Sequence, residues 1–293
     1  MDLFLTVVNI TAPVFLLATI GYLWVRFGFE YRVEFVTRLA MTLSVPCLIF
    51  VSLMQTEVEP SALAALSIAS LLAYALVTFA CFLLVKGMRL NVPMFLAPLI
   101  FGNTGNLGMP LALFAFGEVG LDYAVVVFAV MAILSFTFGI WLVSGGGSFM
   151  KVVKEPLVGA TLLGALFLWQ GWETPEFLTN SLSLIGQIAI PVMLITLGVA
   201  VARLETKAMG QAVFLSILKA AICAGCAWFA ATWFGLPPVA AAVLIVQVST
   251  PVAVTSYMLA EKYGSDAQPV AGLVVASTLL SVFTLPLILA FVI

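Results

Sequence analysis

Apolar stretches of about 20 residues, the length that the hydrocarbon core of a bilayer requires, follow one another along almost the whole chain. That succession constrains the fold more than any single motif. The stretches fall near 3–25, 37–54, 62–85, 93–116, 121–143, 156–172, 178–201, 210–233, 238–260 and 269–292. Only 8% of the 293 residues are charged and the mean hydropathy is +1.25, whereas a soluble domain carries roughly a quarter charged residues. A soluble fold is excluded. Helices satisfy their own backbone groups in lipid, so the expectation is an all-α integral membrane protein with ten transmembrane helices. The chain begins Met1-Asp2, without a basic segment, and runs straight into a spanning stretch, so no signal peptide is expected.

Charge placement sets the orientation. Arg26, Arg32 and Arg38 lie in or beside the first loop, Lys86 and Arg89 in the third, and Lys151 and Lys154 in the fifth. Arg203 and Lys207 lie in the seventh and Lys262 in the ninth. The even loops carry Glu57, Glu59, Glu118, Asp122, Glu173 and Glu176 and no basic residue. By the positive-inside rule the odd loops are cytoplasmic, and both termini lie on the extracytoplasmic side of the cell (inner) membrane.

The two halves of the chain echo each other. PVFLLATIG from Pro13 matches PLVGATLLG from Pro156, SVPCLI around Pro46 matches AIPVML around Pro191, and GMPLAL at Pro110 matches TPVAV at Pro251. The offsets, about 143, 145 and 141 residues, are nearly constant. Five crossings per copy force the copies to insert with opposite topology, an inverted-repeat architecture seen in transporters. The first repeat is expected over 1–143 and the second over 156–293. A flexible linker over 144–155, containing Ser144-Gly145-Gly146-Gly147-Ser148, joins them.

Two spans are interrupted. The fourth contains GNTGNLGMP, from Gly102 to Pro110, with three glycines, two asparagines, a threonine and a proline. Glycine and proline disfavour a continuous helix, and in hydrocarbon such a break survives only where protein or a water-filled cavity satisfies the freed backbone. A second break is expected at Gln247-Val248-Ser249-Thr250-Pro251 in the ninth span. Paired breaks in corresponding places point to a transporter's binding site.

Asn103, Thr104 and Asn106, with Gly105 between them, either cap the half-helices or contact a substrate. The two roles are compatible. Half-helix N-termini gather unpaired N–H groups and positive potential, which suits a carboxylate. In the second half the counterparts are Gln247, Ser249 and Thr250. The hydroxyls are prone to bond back to the preceding turn, and Gln247 is the costlier to bury unpaired. Lys219 is the one charge well inside a span, roughly 13 Å deep at 1.5 Å per residue. It either snorkels to the cytoplasmic surface or faces the interior, toward an anion or the carbonyls of a broken helix.

No carboxylate is expected at mid-membrane, and the chain has no histidine. No metal site and no cofactor are expected. The C-x-x-C of Cys223 and Cys226, like Cys47 and Cys81, sits in an apolar run and reads as buried small residues. Coupling to H+ or Na+ would have to use carbonyls, amides and hydroxyls, among them Ser135, Thr137, Ser277, Thr278, Ser281 and Thr284, or the substrate's own proton.

These pieces resemble the auxin efflux carrier family: N-T-x-x-x-G-x-P at Asn103, Thr104, Gly108 and Pro110, the Pro46 segment, and STPVAVTSYMLAEKYGSD followed by a Ser/Thr-rich last span with Leu285-Pro286-Leu287. The resemblance covers essentially the whole chain. It implies a fold like that of bile acid/sodium symporters, with spans 1, 2, 6 and 7 as scaffold and spans 3–5 and 8–10 as a mobile transport unit. Helices four and nine would cross at their breaks, with Gly102, Gly108, Pro110 and Pro251 at the crossover and Asn103 near the substrate. It further implies elevator-like transport of small organic anions, such as mono- or dicarboxylates, by a homodimer in the lipid bilayer. No nucleic-acid partner is expected. The alternatives are a sodium-coupled symporter of the bile-acid type and a membrane sensor that binds a metabolite without moving it. An enzyme is disfavoured, because no nucleophile–base pair is visible at membrane depth.

Overall fold

The computed structural model describes residues 3–144, 156–203, 209–262 and 268–293. The described residues are helical throughout, apart from loops and one isolated antiparallel bridge between Gly102 and Val252. Seven helical stretches are long and apolar enough to cross a membrane: Val7–Arg26, Val33–Gln55, Pro60–Gly87, Thr104–Val143, Glu176–Arg203, Met209–Trp233 and Gln268–Val292. Val158–Gln170 and Pro238–Val248 are shorter apolar helices. Large apolar side chains, including Leu16, Phe79, Trp169, Trp233 and Phe283, are exposed on the outside. That is the surface a lipid solvent calls for.

In chain order the α-helices are α1 (Leu3–Arg26), α2 (Val33–Leu39), α3 (Val45–Gln55), α4 (Pro60–Gly87), α5 (Val92–Ile100), α6 (Met109–Leu134) and α7 (Ile140–Ser144). The second half holds α8 (Pro156–Gln170), α9 (Glu176–Gln187), α10 (Ala189–Arg203), α11 (Met209–Trp233), α12 (Pro238–Val248), α13 (Val254–Lys262) and α14 (Gln268–Val292). Of the linker expected over 144–155, Ser144 ends α7 and the rest lies outside the described residues. So do Lys151, Lys154 and Lys207, on which part of the orientation rests.

Three single π-helical turns interrupt the α-helices, at Ala40–Ser44, Thr104–Gly108 and Ser135–Gly139. The fourth span is therefore less unwound than its composition suggests. The chain leaves the helix over residues 101–103, and Thr104–Gly108 is wound, at a wider pitch. Pro110 follows directly, at the start of α6 and inside the helical run that the π-turn opens. The second break is likewise displaced: Gln247 and Val248 still belong to α12, and the open stretch is 249–253. The expected fourth and fifth spans are joined through Gly117 (φ 67, ψ −157), a left-handed residue that ends one helical direction and begins another.

Packing divides the helices by neighbour. α1 lies along α10, and α3 packs on α8 and α9. α11 packs on α4, α12 and α14, and α12 lies along α6. The α4–α11 contact follows from helical spacing. Leu66, Ala69, Ala73, Val77, Cys81 and Val85 form one buried stripe, and Ala212, Leu215, Lys219, Cys223, Ala227 and Ala230 form the other. Small residues in such stripes let helices approach closely where lipid supplies no hydrophobic driving force. Lys219 lies on the buried stripe, so it does not snorkel.

Candidate functional site

The two breaks cross and pair through their main chains. The Asn103 N–H donates to the Pro251 carbonyl at 2.7 Å, and the Ala253 N–H donates to the Phe101 carbonyl at 3.4 Å. The Val252 N–H donates to the Ser277 hydroxyl at 2.9 Å, which ties the second break to α14. Backbone polar groups that leave a helix at membrane depth must find partners inside the protein. Here each break supplies them to the other.

The crossing demands glycine at two positions. A Cβ on Gly102 would clash with the Thr250 hydroxyl oxygen and lie 2.9 Å from its carbonyl oxygen. A Cβ on Gly108 would clash with Oε1 of Gln247. Gln247 is fully buried, and its Nε2 donates to the Ala124 carbonyl at 3.4 Å. The Thr250 hydroxyl bonds back to the Gln247 carbonyl at 2.7 Å, the local role a membrane threonine tends to take.

Beside the crossing is a cavity of about 190 Å³. Gly102, Asn103, Gly105 and Asn106 border it from the first break, and Val254 and Thr255 from the second. All three π-turns touch it, through Met41, Gly105 and Asn106, and Ser135. Such turns concentrate at functional sites. Two helical segments begin at this cavity: the one that Asn103 precedes, and α13 at Val254. Their first-turn N–H groups have no partner within their own helix, and both N-termini present positive partial charge to one space.

Asn103 occupies an N-cap position but makes no side-chain cap bond. Its side chain is 5% exposed, and Nδ2 has no hydrogen-bond partner in the protein. The Thr104 hydroxyl, Oε1 of Gln247 and the Ser249 hydroxyl are also buried without a partner. Unpaired buried polar atoms are rare and call for an explanation. The sequence-predicted residues thus separate into two sets. Gly102, Asn103, Gly105 and Asn106 border the cavity, whereas Thr104, Gln247, Ser249 and Thr250 are buried outside its lining. Lys219 stands behind the crossing and does not border the cavity.

Two features escaped the sequence reading. Thr255 borders the cavity, although nothing in its local composition marks it. Asp122, assigned to a loop, is only 8% exposed and accepts a hydrogen bond from the Ser52 hydroxyl of α3. It borders a second, larger cavity of about 610 Å³ with Ser52, Gln55, Glu118, Ser183 and Gln187. An apolar helical bundle with a small, mostly apolar cavity that carries a few polar groups, Asn103, Asn106, Ser135 and Thr255, where two broken helices cross is the framework of a membrane transporter.

The chain belongs to the membrane transport protein family, whose model matches residues 6–152 and 147–289. The resemblance to auxin efflux carriers drawn from the crossing motifs therefore holds at the level of the family. Over 205 residues the chain is 26% identical to an uncharacterized transporter, MJ1031, of Methanocaldococcus jannaschii, and the alignment spans 64% of each chain.

Proposed function

We propose that the protein is a secondary carrier of small organic anions, mono- or dicarboxylates, which bind in the cavity at the helix crossing. The observation that carries this reading is the unpaired, buried amide of Asn103 in a space where two helix N-termini converge. A carboxylate would accept from Nδ2 and from first-turn N–H groups, and charge-assisted bonds of this kind are about twice as strong as neutral ones. The volume supports a small substrate. About 190 Å³ lies below the roughly 300–1,000 Å³ of pockets for drug-sized ligands.

Alternating access has support in the two cavities. Met41, Ser135 and Leu259 place the smaller one toward the odd loops, whereas Gln55, Glu118 and Ser183 place the larger one toward the even loops. The two cavities share no lining residue. We read the α1–α10 and α3–α8–α9 packing as the scaffold and the α4–α11–α12–α6 packing as the mobile unit of an elevator built from two inverted repeats. A homodimer in the cell membrane, with both termini extracytoplasmic, completes the proposal.

Ligand-dependent thermal stability of the purified protein tests the binding claim. Malonate and malate are expected to raise the midpoint saturably, because a ligand at 100 times its Kd adds about 2.7 kcal/mol. The neutral diamide of malonate is expected to leave it unchanged. Equal stabilisation by the diamide, or none by any mono- or dicarboxylate, would remove the anion assignment.

A further inference from the structure

Lys219 is the second charged side chain, with Asp122, to be almost wholly buried among the described residues, and the binding reading above leaves it without a role. It is 1% exposed on the stripe of α11 that faces α4. Its Nζ donates to the Thr250 carbonyl at 2.8 Å and to Sγ of Cys223 at 3.7 Å. Neither of the two ion pairs among the described residues, Arg32–Glu30 and Arg38–Glu34, involves it.

What the lysine meets is the main chain of the second break, just past the C-terminal end of α12. α12 ends at Val248 with Ser249 as its C-cap, and Thr250 is the next residue. The last carbonyls of a helix carry negative partial charge and lack partners within it. In transporters with discontinuous helices such unwound carbonyls and half-helix C-termini are where Na+ is coordinated. The corresponding end of α5 receives something weaker: Sγ of Cys81, on α4, donates to the Leu99 carbonyl at 3.8 Å. One half of the molecule thus brings a thiol to its break, and the other brings a cation.

We infer that Lys219 is the resident cation of the crossing, an ammonium covalently fixed where a coupling Na+ would otherwise bind, so that the carrier works without Na+. Resting on the anion reading above, the inference also gives the lysine a part in substrate charge. Thr250 lies against Gly102, which borders the cavity, so the positive charge stands one residue behind the anion in a medium of low dielectric. Lys219 is a positioning residue: it acts on the site through Thr250 and does not touch the substrate.

The test needs no substrate, so it stands apart from the carrier reading. Thermal midpoints of purified wild type and Lys219→Ala are compared in NaCl and choline chloride at equal ionic strength. The wild-type midpoint is expected to be the same in both salts. Lys219→Ala is expected to melt several degrees lower in choline and to recover with a saturable, Na+-specific rise, as the ion fills the vacated place at the Thr250 carbonyl. A saturable Na+ shift in the wild type overturns the inference, and so does a Lys219→Ala protein that matches the wild type or shows no Na+-specific rise. Should the variant not fold, the wild-type titration alone decides. If wild type takes up no malonate in proteoliposomes, the carrier reading fails while the stability result stands.

Discussion

The main-chain N–H of Asn103 and the carbonyl of Pro251 meet at 2.7 Å, although half the chain separates them. Together with the bond from the Ala253 N–H to the Phe101 carbonyl, this one joins the two broken helices and holds Asn103 at the edge of the cavity. The residue that completes the crossing with its backbone is the one whose amide is left free. Substrate recognition and the integrity of the crossing share a residue, and substitutions near it have to be read for both effects.

Gly102→Ala is expected to lower stability without removing any polar group. The new methyl would press on the Thr250 hydroxyl and carbonyl oxygens, and overpacking of this kind costs about 1–3 kcal/mol. A drop of several degrees in the thermal midpoint in detergent checks this; an unchanged midpoint would mean that the crossing has slack.

Gly108 and Gln247 are expected to be energetically coupled. Gly108→Ala alone drives a methyl into the buried amide of Gln247. Once Gln247→Ala has emptied that space, the same substitution becomes mild. A double-mutant cycle on thermal stability is expected to give an interaction of about 0.5–3 kcal/mol. Additive effects would contradict the contact.

Ser52→Ala removes the hydroxyl that donates to the nearly buried carboxylate of Asp122. Leaving such an acceptor short of a donor costs about 1–3 kcal/mol, and more for a charged group. The measurable outcome is a lowered thermal midpoint that Ser52→Thr, which keeps the hydroxyl, largely avoids. Equal midpoints for the two variants would place the Asp122–Ser52 bond among contacts of no consequence.

How far the sequence led can be traced residue by residue. The membrane class was legible because apolar length is a one-dimensional property, and the two breaks were legible because Gly102 and Pro251 carry backbone constraints wherever they occur. The pitch of Thr104–Gly108 was not legible. A π-turn inserts one residue into a helical turn and leaves no mark in composition. The partner of Lys219 was open for a different reason: burial showed that the charge needed a partner, but only the packing of α11 on α12 selects the Thr250 carbonyl. Thr255 and Asp122 were missed because a cavity is formed by elements far apart in the chain. Sequence position placed Asp122 in a loop, whereas the turn at Gly117 brings it against Ser52.

The central claim is that a small organic anion is carried through the crossing and held there by Asn103. Uptake of labelled malonate into proteoliposomes, for wild type and Asn103→Ala, tests it most directly. Saturable wild-type flux is predicted, with apparent affinity about 10- to 100-fold weaker in the variant, since a hydrogen bond to a charged group contributes about 1.5–3 kcal/mol. Wild-type flux that Asn103→Ala leaves unchanged would contradict the site, and the absence of saturable flux for malonate and malate alike would contradict the carrier.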